Sequence, residues 1–184
     1  MIPVGESTAA KPLSPYGASK LAVETYLPIY EKLSALDYTI VRLANVYGPR
    51  QDPHGEAGVV AIFTQAMLEG RSPDIFGDGD DKRDYVFVED VIDAIIIASE
   101  SELSGPFNVG TGIGTSTSKI FEILARHCGY TNKPMHGPRR LGDIVRISLD
   151  ISRARKELGW RPKILLEDGL RTTVKWFGSQ CKNK

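Results

Sequence analysis

Tyr16 and Lys20, in the string Tyr16-Gly-Ala-Ser-Lys20, are the residues near the start of the chain best able to do chemistry. Ser14 followed by Pro15 is a helix-start signal: a hydroxyl cap, then a ring whose fixed φ suits the first turn. On the helix that follows, positions i and i+4 share a face, so the phenol and the ammonium point the same way. A tyrosine ordinarily titrates near about 10. A neighbouring positive charge stabilises the phenolate and lowers that value, which makes the phenol usable as a general acid or base. The same spacing also suits a plain helix start with an exposed Tyr and an exposed Lys.

Further along, Arg83 offers a planar fork suited to a phosphate. It stands between Asp81 and Asp84, so a local ion pair competes with that role. Two strings imitate known sites. Gly110-Thr-Gly-Ile-Gly-Thr approaches a dinucleotide fingerprint, but Thr115 occupies the last glycine position. Asp78-Gly-Asp-Asp imitates a calcium loop with its fixed glycine and terminal Glu misplaced. Both read as turns. His54, His127 and His136 are isolated and no zinc spacing occurs, so no metal is expected.

The string SPYGASKLAVE resembles the active-site helix of the extended short-chain dehydrogenase/reductases. RLANVYGPRQDPHGEAGVVAIF (42–63) is similar to a segment of the UDP-glucose 4-epimerases. IFGDGDDKRDYVFVEDV (75–91), FNVGTG (107–112), PRRLGD (138–143), LDISRARKELGWRP (149–162) and LEDGLRTTVKWF (166–177) follow in the family's order. On these motifs the chain is identified as a member of the NAD-dependent epimerase/dehydratase family over about residues 14–177. The resemblance implies that Tyr16 exchanges a proton with a sugar hydroxyl. It implies that Lys20 holds the nicotinamide ribose of NAD and tunes the Tyr, so both residues serve catalysis and cofactor. By the same resemblance Asn45, Arg83 and Arg140 meet the diphosphate, Asp143 meets the ribose, and Val60, Ile75 and Phe76 line the uracil pocket. The stretch QDPHGEAG favours a 4-epimerase over the family's dehydratases, decarboxylases and UDP-glucuronate epimerases. A non-catalytic UDP-sugar-binding or dimerisation module is the reading from another class.

The family's glycine-rich strand–turn–helix for the NAD pyrophosphate is not among these 184 residues. The chain therefore reads as the carboxyl-terminal part of such an enzyme, inactive alone, with a homodimer through the Tyr16 helix expected. An amino-terminal half supplied in trans is a further expected partner.

The elements that must position these residues alternate between helix and strand, an α/β pattern. The expected fold is the last part of an NAD(P)-binding Rossmann-like domain (1–50), a small α/β sugar-nucleotide domain (51–178) and a frayed tail (179–184). Helices are predicted at 16–33, 59–69, 89–99, 118–128, 152–158 and 167–177. Pro28 predicts a kink or early stop in the first, and Gly178 an end to the last. Short strands are predicted at 38–43 (buried), 74–76, 84–88, 106–109 and 146–149, with 44–58 a long loop. Lys plus Arg equals Asp plus Glu at 23 each. That balance argues against a nucleic-acid partner or an anionic membrane surface. No apolar run approaches the roughly 20 residues of a membrane span, and the first residues are not a signal peptide. Two cysteines outside any CxxC point to reduced thiols and the cytoplasm.

Overall fold

The structure is a computed structural model, and it describes residues 2–54, 58–139 and 144–181. The architecture is mixed α/β. The element order is α1 (Pro15–Ser34), β1 (Thr39–Leu43), β2 (Asn45–Tyr47), α2 (Val59–Leu68), β3 (Asp74–Phe76), β4 (Lys82–Phe87), α3 (Val88–Ser99), β5 (Gly105–Val109), β6 (Gly114–Ser116), α4 (Thr117–Cys128), β7 (Met135–Gly137), α5 (Ser152–Glu157) and α6 (Leu166–Cys181). β1 pairs in parallel with β5, β2 in parallel with β4, and β3 in parallel with β7, while β6 runs antiparallel on the other side of β4.

Residue 44 is where the chain changes partner. Up to Leu43 it pairs with β5, and from Asn45 it pairs with β4. The Ala44 amide donates to the Val109 carbonyl at 2.9 Å, so the ladder carries across the switch. Gly110 lies against it: a Cβ there would come within 3.0 Å of Ala44 Cβ and 2.7 Å of an Asp84 carboxylate oxygen. Only glycine fits.

Two apolar cores flank these strands. One joins Tyr47, Tyr85 and Phe87 to side chains of α2, α4 and α6, including Phe63, Leu124 and Leu170. The other joins Val86, Phe107 and Val109 to α3, α5 and Trp160. Asp90, buried in α3, fastens the stretch before α6: its carboxylate accepts from the Lys163 amide (2.9 Å) and the Ile164 amide (3.1 Å). The Trp160 indole donates to the Asp90 carbonyl at 2.9 Å. The second core and the β1–β5 ladder both cross residue 50, so sheet pairing joins residues on either side of that expected domain boundary.

Several expectations need correction. α1 runs through Pro28 for six further residues and ends at Ala35 in a left-handed cap; the ring removes one i→i−4 bond, and the helix continues past that loss. The 44–58 stretch opens with strand β2, whose three residues are too few to show a period. β6 and β7, equally short, escaped the sequence reading for the same reason. Residues 146–149 make isolated bridges at Arg146 and Leu149, not a strand. α6 passes through Gly178, and residues 179–181 are helical. β1 is only half-buried, with Leu43 46% exposed, because among the described strands β5 is its one neighbour. No described helix is long and apolar enough to cross a membrane. No described group of three or more His, Cys, Asp or Glu could hold a metal ion.

Candidate active site

α1 starts where the sequence places its signal. Ser14 Oγ accepts from the Gly17 amide at 3.1 Å, and Pro15 occupies the first turn. Lys20 Nζ stands over the Tyr16 ring, 5.1 Å from its centroid, the contact that i, i+4 spacing provides. Tyr16 is 64% exposed. α1 itself is held by Arg42 of β1. That guanidinium donates from Nε (2.9 Å) and Nη2 (2.5 Å) to the Glu24 carboxylate, and from Nη1 (3.0 Å) to the Glu6 carbonyl. The pairing with Glu24 raises the Arg42 pKa further above its ordinary value. One residue thus ties together the amino-terminal loop, α1 and β1. Beside it a cleft of about 350 Å3 is lined by Lys20, Lys11, Arg42, Asn108 and Leu149.

A second group of candidates sits on the strands. Asn45 of β2 is opposite Tyr85 of β4 in register. Facing partners project to one side of a sheet, and Arg83, two residues before Tyr85, projects to that side as well. Asn45 and Arg83 are therefore diagonal neighbours on one face. Asn45 is exposed and Arg83 half-buried. The rival ion pair for Arg83 is not formed. Asp81 accepts from Arg139 Nη2 at 2.6 Å. Asp84 turns to the opposite face, where it accepts from the Thr111 amide (2.8 Å), the Thr111 hydroxyl (2.5 Å), the Gly112 amide (2.9 Å) and the Leu149 amide (3.1 Å). Among the described residues Arg83 pairs with no carboxylate; its one hydrogen bond goes to the Lys82 carbonyl, 3.2 Å away. The start of the glycine-rich string, 110–113, is accordingly a bend whose Thr111 and Gly112 amides are occupied by the protein's own carboxylate, while Gly114 and Thr115, expected as part of the turn, belong to strand β6.

The expected uracil-lining residues divide. Val60 and Ile75 are each 1% exposed, and their side chains belong to the first core. Phe76, 37% exposed, lines a cavity of about 330 Å3 between α2 and β3, together with Val59, Phe63 and Arg71. On a helix the neighbour of a core position faces elsewhere, so Val59 reaches this cavity where Val60 does not. Arg140 and Asp143 lie outside the described residues. The strand leading to them is placed: β7 pairs with β3, and His136 Nδ1 lies 2.9 Å from the Gly77 carbonyl oxygen.

Residues 145–149 link the two groups. The Lys82 amide donates to the Val145 carbonyl (2.9 Å) and the Ile147 amide to the Lys82 carbonyl (3.0 Å), next to Arg83. Leu149, four residues after Val145, lines the Lys20 cleft. Tyr85 and Arg139 belong to the site region but were not singled out in the sequence. Period-two alternation in Arg-Asp-Tyr-Val-Phe (83–87) carries the signal for Tyr85. Burial pushes its phenol up to about 12, so it stays protonated near neutral pH.

The model of the NAD dependent epimerase/dehydratase family matches residues 2–110. The UDP-glucose 4-epimerase of Mycolicibacterium smegmatis is 51% identical over 181 residues, covering 98% of this chain and 58% of that protein. Among solved structures, the Thermotoga maritima UDP-glucose 4-epimerase with UDP-glucose superposes with a TM-score of 0.95 at 46% identity, over 98% of this chain and 59% of the other. The Thermus thermophilus UDP-glucose 4-epimerase in complex with NAD gives 0.83 at 43% identity, over 91% and 55%. The chain spans a little over half the length of these relatives. With a family match over more than half its residues and the Rossmann-like fold of those enzymes, this chain belongs to the NAD dependent epimerase/dehydratase family.

Proposed function

We propose that these residues form the substrate side of an NAD-dependent nucleotide-sugar 4-epimerase acting on UDP-glucose and UDP-galactose. The observation that carries the reading is the unpaired Arg83 guanidinium beside Asn45 on one sheet face. A diphosphate needs a cationic fork and neutral donors, and this face offers one of each. Arg140 and Asp143 follow β7 and serve the diphosphate and ribose. The Phe76 cavity receives the uracil, with Val60 and Ile75 supporting it from the core.

Tyr16 takes the proton of the sugar 4-hydroxyl and later returns it. Lys20, whose Nζ stands 5.1 Å from the ring centroid, holds the nicotinamide ribose beside it. This ammonium and phenol fit one end of NAD. When bound there, NAD would supply the hydride acceptor and donor for the sugar. The 184 residues carry no glycine-rich turn for its pyrophosphate, so alone they leave the nicotinamide unpositioned and do not epimerise. An amino-terminal half, in cis or in trans, completes the site, and α1 pairs two copies. The unpaired thiols of Cys128 and Cys181 suit the cytoplasm.

Calorimetry with UDP tests the reading. The chain is expected to bind UDP, with Arg83→Ala weakening it about tenfold or more and leaving the far-ultraviolet dichroism unchanged. Equal affinity in the variant, or no heat with the parent, removes the proposed role. Conversion of UDP-glucose to UDP-galactose by the pure chain plus NAD overturns the claim of inactivity.

A further inference from the structure

At the start of α6, a cavity of about 210 Å3 has an apolar wall that includes Tyr85, Ile113 and Leu166, and a rim that includes Arg155 and Lys163. Ile113 is 66% exposed and the neighbouring Leu165 71%, so apolar surface lies open around a cationic edge. The two cations are not equivalent. Lys163 Nζ is 2.6 Å from the Asp93 carboxylate. Arg155 pairs with no carboxylate among the described residues, although Arg153, on the same short helix, is bound to Glu157 at 2.9 Å. Arg155 also borders an open groove of about 370 Å3 beside Gly159 and Arg161, so its guanidinium is reachable from solvent. With Lys163 neutralised by Asp93, Arg155 is the cation lining this cavity that pairs with no carboxylate among the described residues.

We propose that this cavity is a second ligand site, for a small carboxylate with an aromatic or aliphatic body. Its head is gripped by the Arg155 fork and its body covers Ile113 and Leu166. One free positive charge matches one carboxylate, and a guanidinium binds a carboxylate in a planar, two-bonded geometry. The apolar wall gains from being covered. Tyr85 forms part of this wall, and its ring is two residues from Arg83 on β4, so occupancy here is felt next to the proposed diphosphate position.

Titration of the 184-residue chain with benzoate in the millimolar range, followed by amide ¹H–¹⁵N spectra, tests the site. Saturable shifts are expected at Ile113, Thr115 and Leu166. Arg155→Gln is expected to weaken benzoate about tenfold, and neutral benzamide to give no saturable shift. Saturating UDP is expected to leave the benzoate shifts in place. An absence of saturation with benzoate overturns the proposal. So does benzamide binding as well as benzoate, or unchanged affinity in the Arg155→Gln variant. Displacement of benzoate by UDP overturns it too, because the cavity would then be part of the nucleotide-sugar site.

Discussion

The carboxylate of Asp84 receives both the amide and the hydroxyl of Thr111, at 2.8 and 2.5 Å, across the end of β5. With the Gly112 and Leu149 amides this makes four donors on one buried acid. The arrangement pins the 110–112 turn and the 149 segment to β4, and it turns Asp84 away from Arg83.

Asp84→Ala would strand three backbone donors in the interior. Each buried unmade bond costs about 1–3 kcal/mol, so a loss of about 3 kcal/mol or more is expected. For a chain of this size that is a fall of roughly 6–12 °C in melting temperature. Thermal denaturation followed by circular dichroism measures it, and a fall under about 2 °C would show that the turn does not depend on this acid.

Much of the fold is legible in the sequence wherever a single element carries enough residues to show a period. The Ser14-Pro15 start and the helices expected at 59–69, 89–99 and 118–128 emerge this way. The three-residue strands β2, β6 and β7 carry no such signal, because their pairing is fixed by partners 30 to 61 residues away. The same limit affects the site. Arg83 is readable as a cation but not as an unpaired one: its freedom depends on Arg139 taking Asp81 and on the 110–112 turn taking Asp84. Val60 and Ile75 are readable as apolar, yet which of two adjacent apolar side chains enters the core is decided by helix phase and by β3's pairing with β7.

Gly169 in α6 is a second point of close approach. A Cβ there would collide with the Tyr47 hydroxyl and come within 2.9 Å of the Phe87 ring. Both rings are buried and meet edge to face at 5.6 Å, so they have little room to yield. Gly169→Ala is therefore expected to destabilise by about 1–3 kcal/mol, against the usual gain from replacing a helical glycine. Adding Tyr47→Phe removes the colliding oxygen and should recover part of the loss. A double-mutant cycle by urea denaturation checks this, and strict additivity of the two changes would contradict the steric account.

The two thiols should differ sharply in reactivity. Cys128 is partly covered at the end of α4, and burial pushes its thiol up to about 11. Cys181 is exposed on the last turn of α6. The thiolate is the reactive form, so a raised pKa keeps Cys128 protonated and slow at pH 8, and its rate climbs as pH rises toward 11. Labelling with a disulfide reagent at pH 8 should give one fast equivalent, lost in Cys181→Ser, and one slow equivalent. Two equivalents reacting together in the native protein would contradict the burial of Cys128.

α1 presents a broad uncovered apolar face. Tyr16, Val23, Tyr26, Ile29, Tyr30 and Leu33 are each 48% exposed or more, and no residue of the helix is buried. At about 100° per residue these side chains cover roughly 140° of the helix circumference, somewhat more than the stripe of about 100° with which a helix faces one core. Glu24, on the opposite side, is the end held by Arg42. An uncovered arc of this width is expected to drive self-association of the chain. Tyr26→Glu with Leu33→Glu places two charges in the middle of the arc without touching Glu24. Sedimentation velocity should show the parent chain associating with rising concentration and the variant remaining monomeric at equal helix content. A monomeric parent across the micromolar range would leave α1 without the partner its surface demands, and the pairing of copies through this helix would be withdrawn.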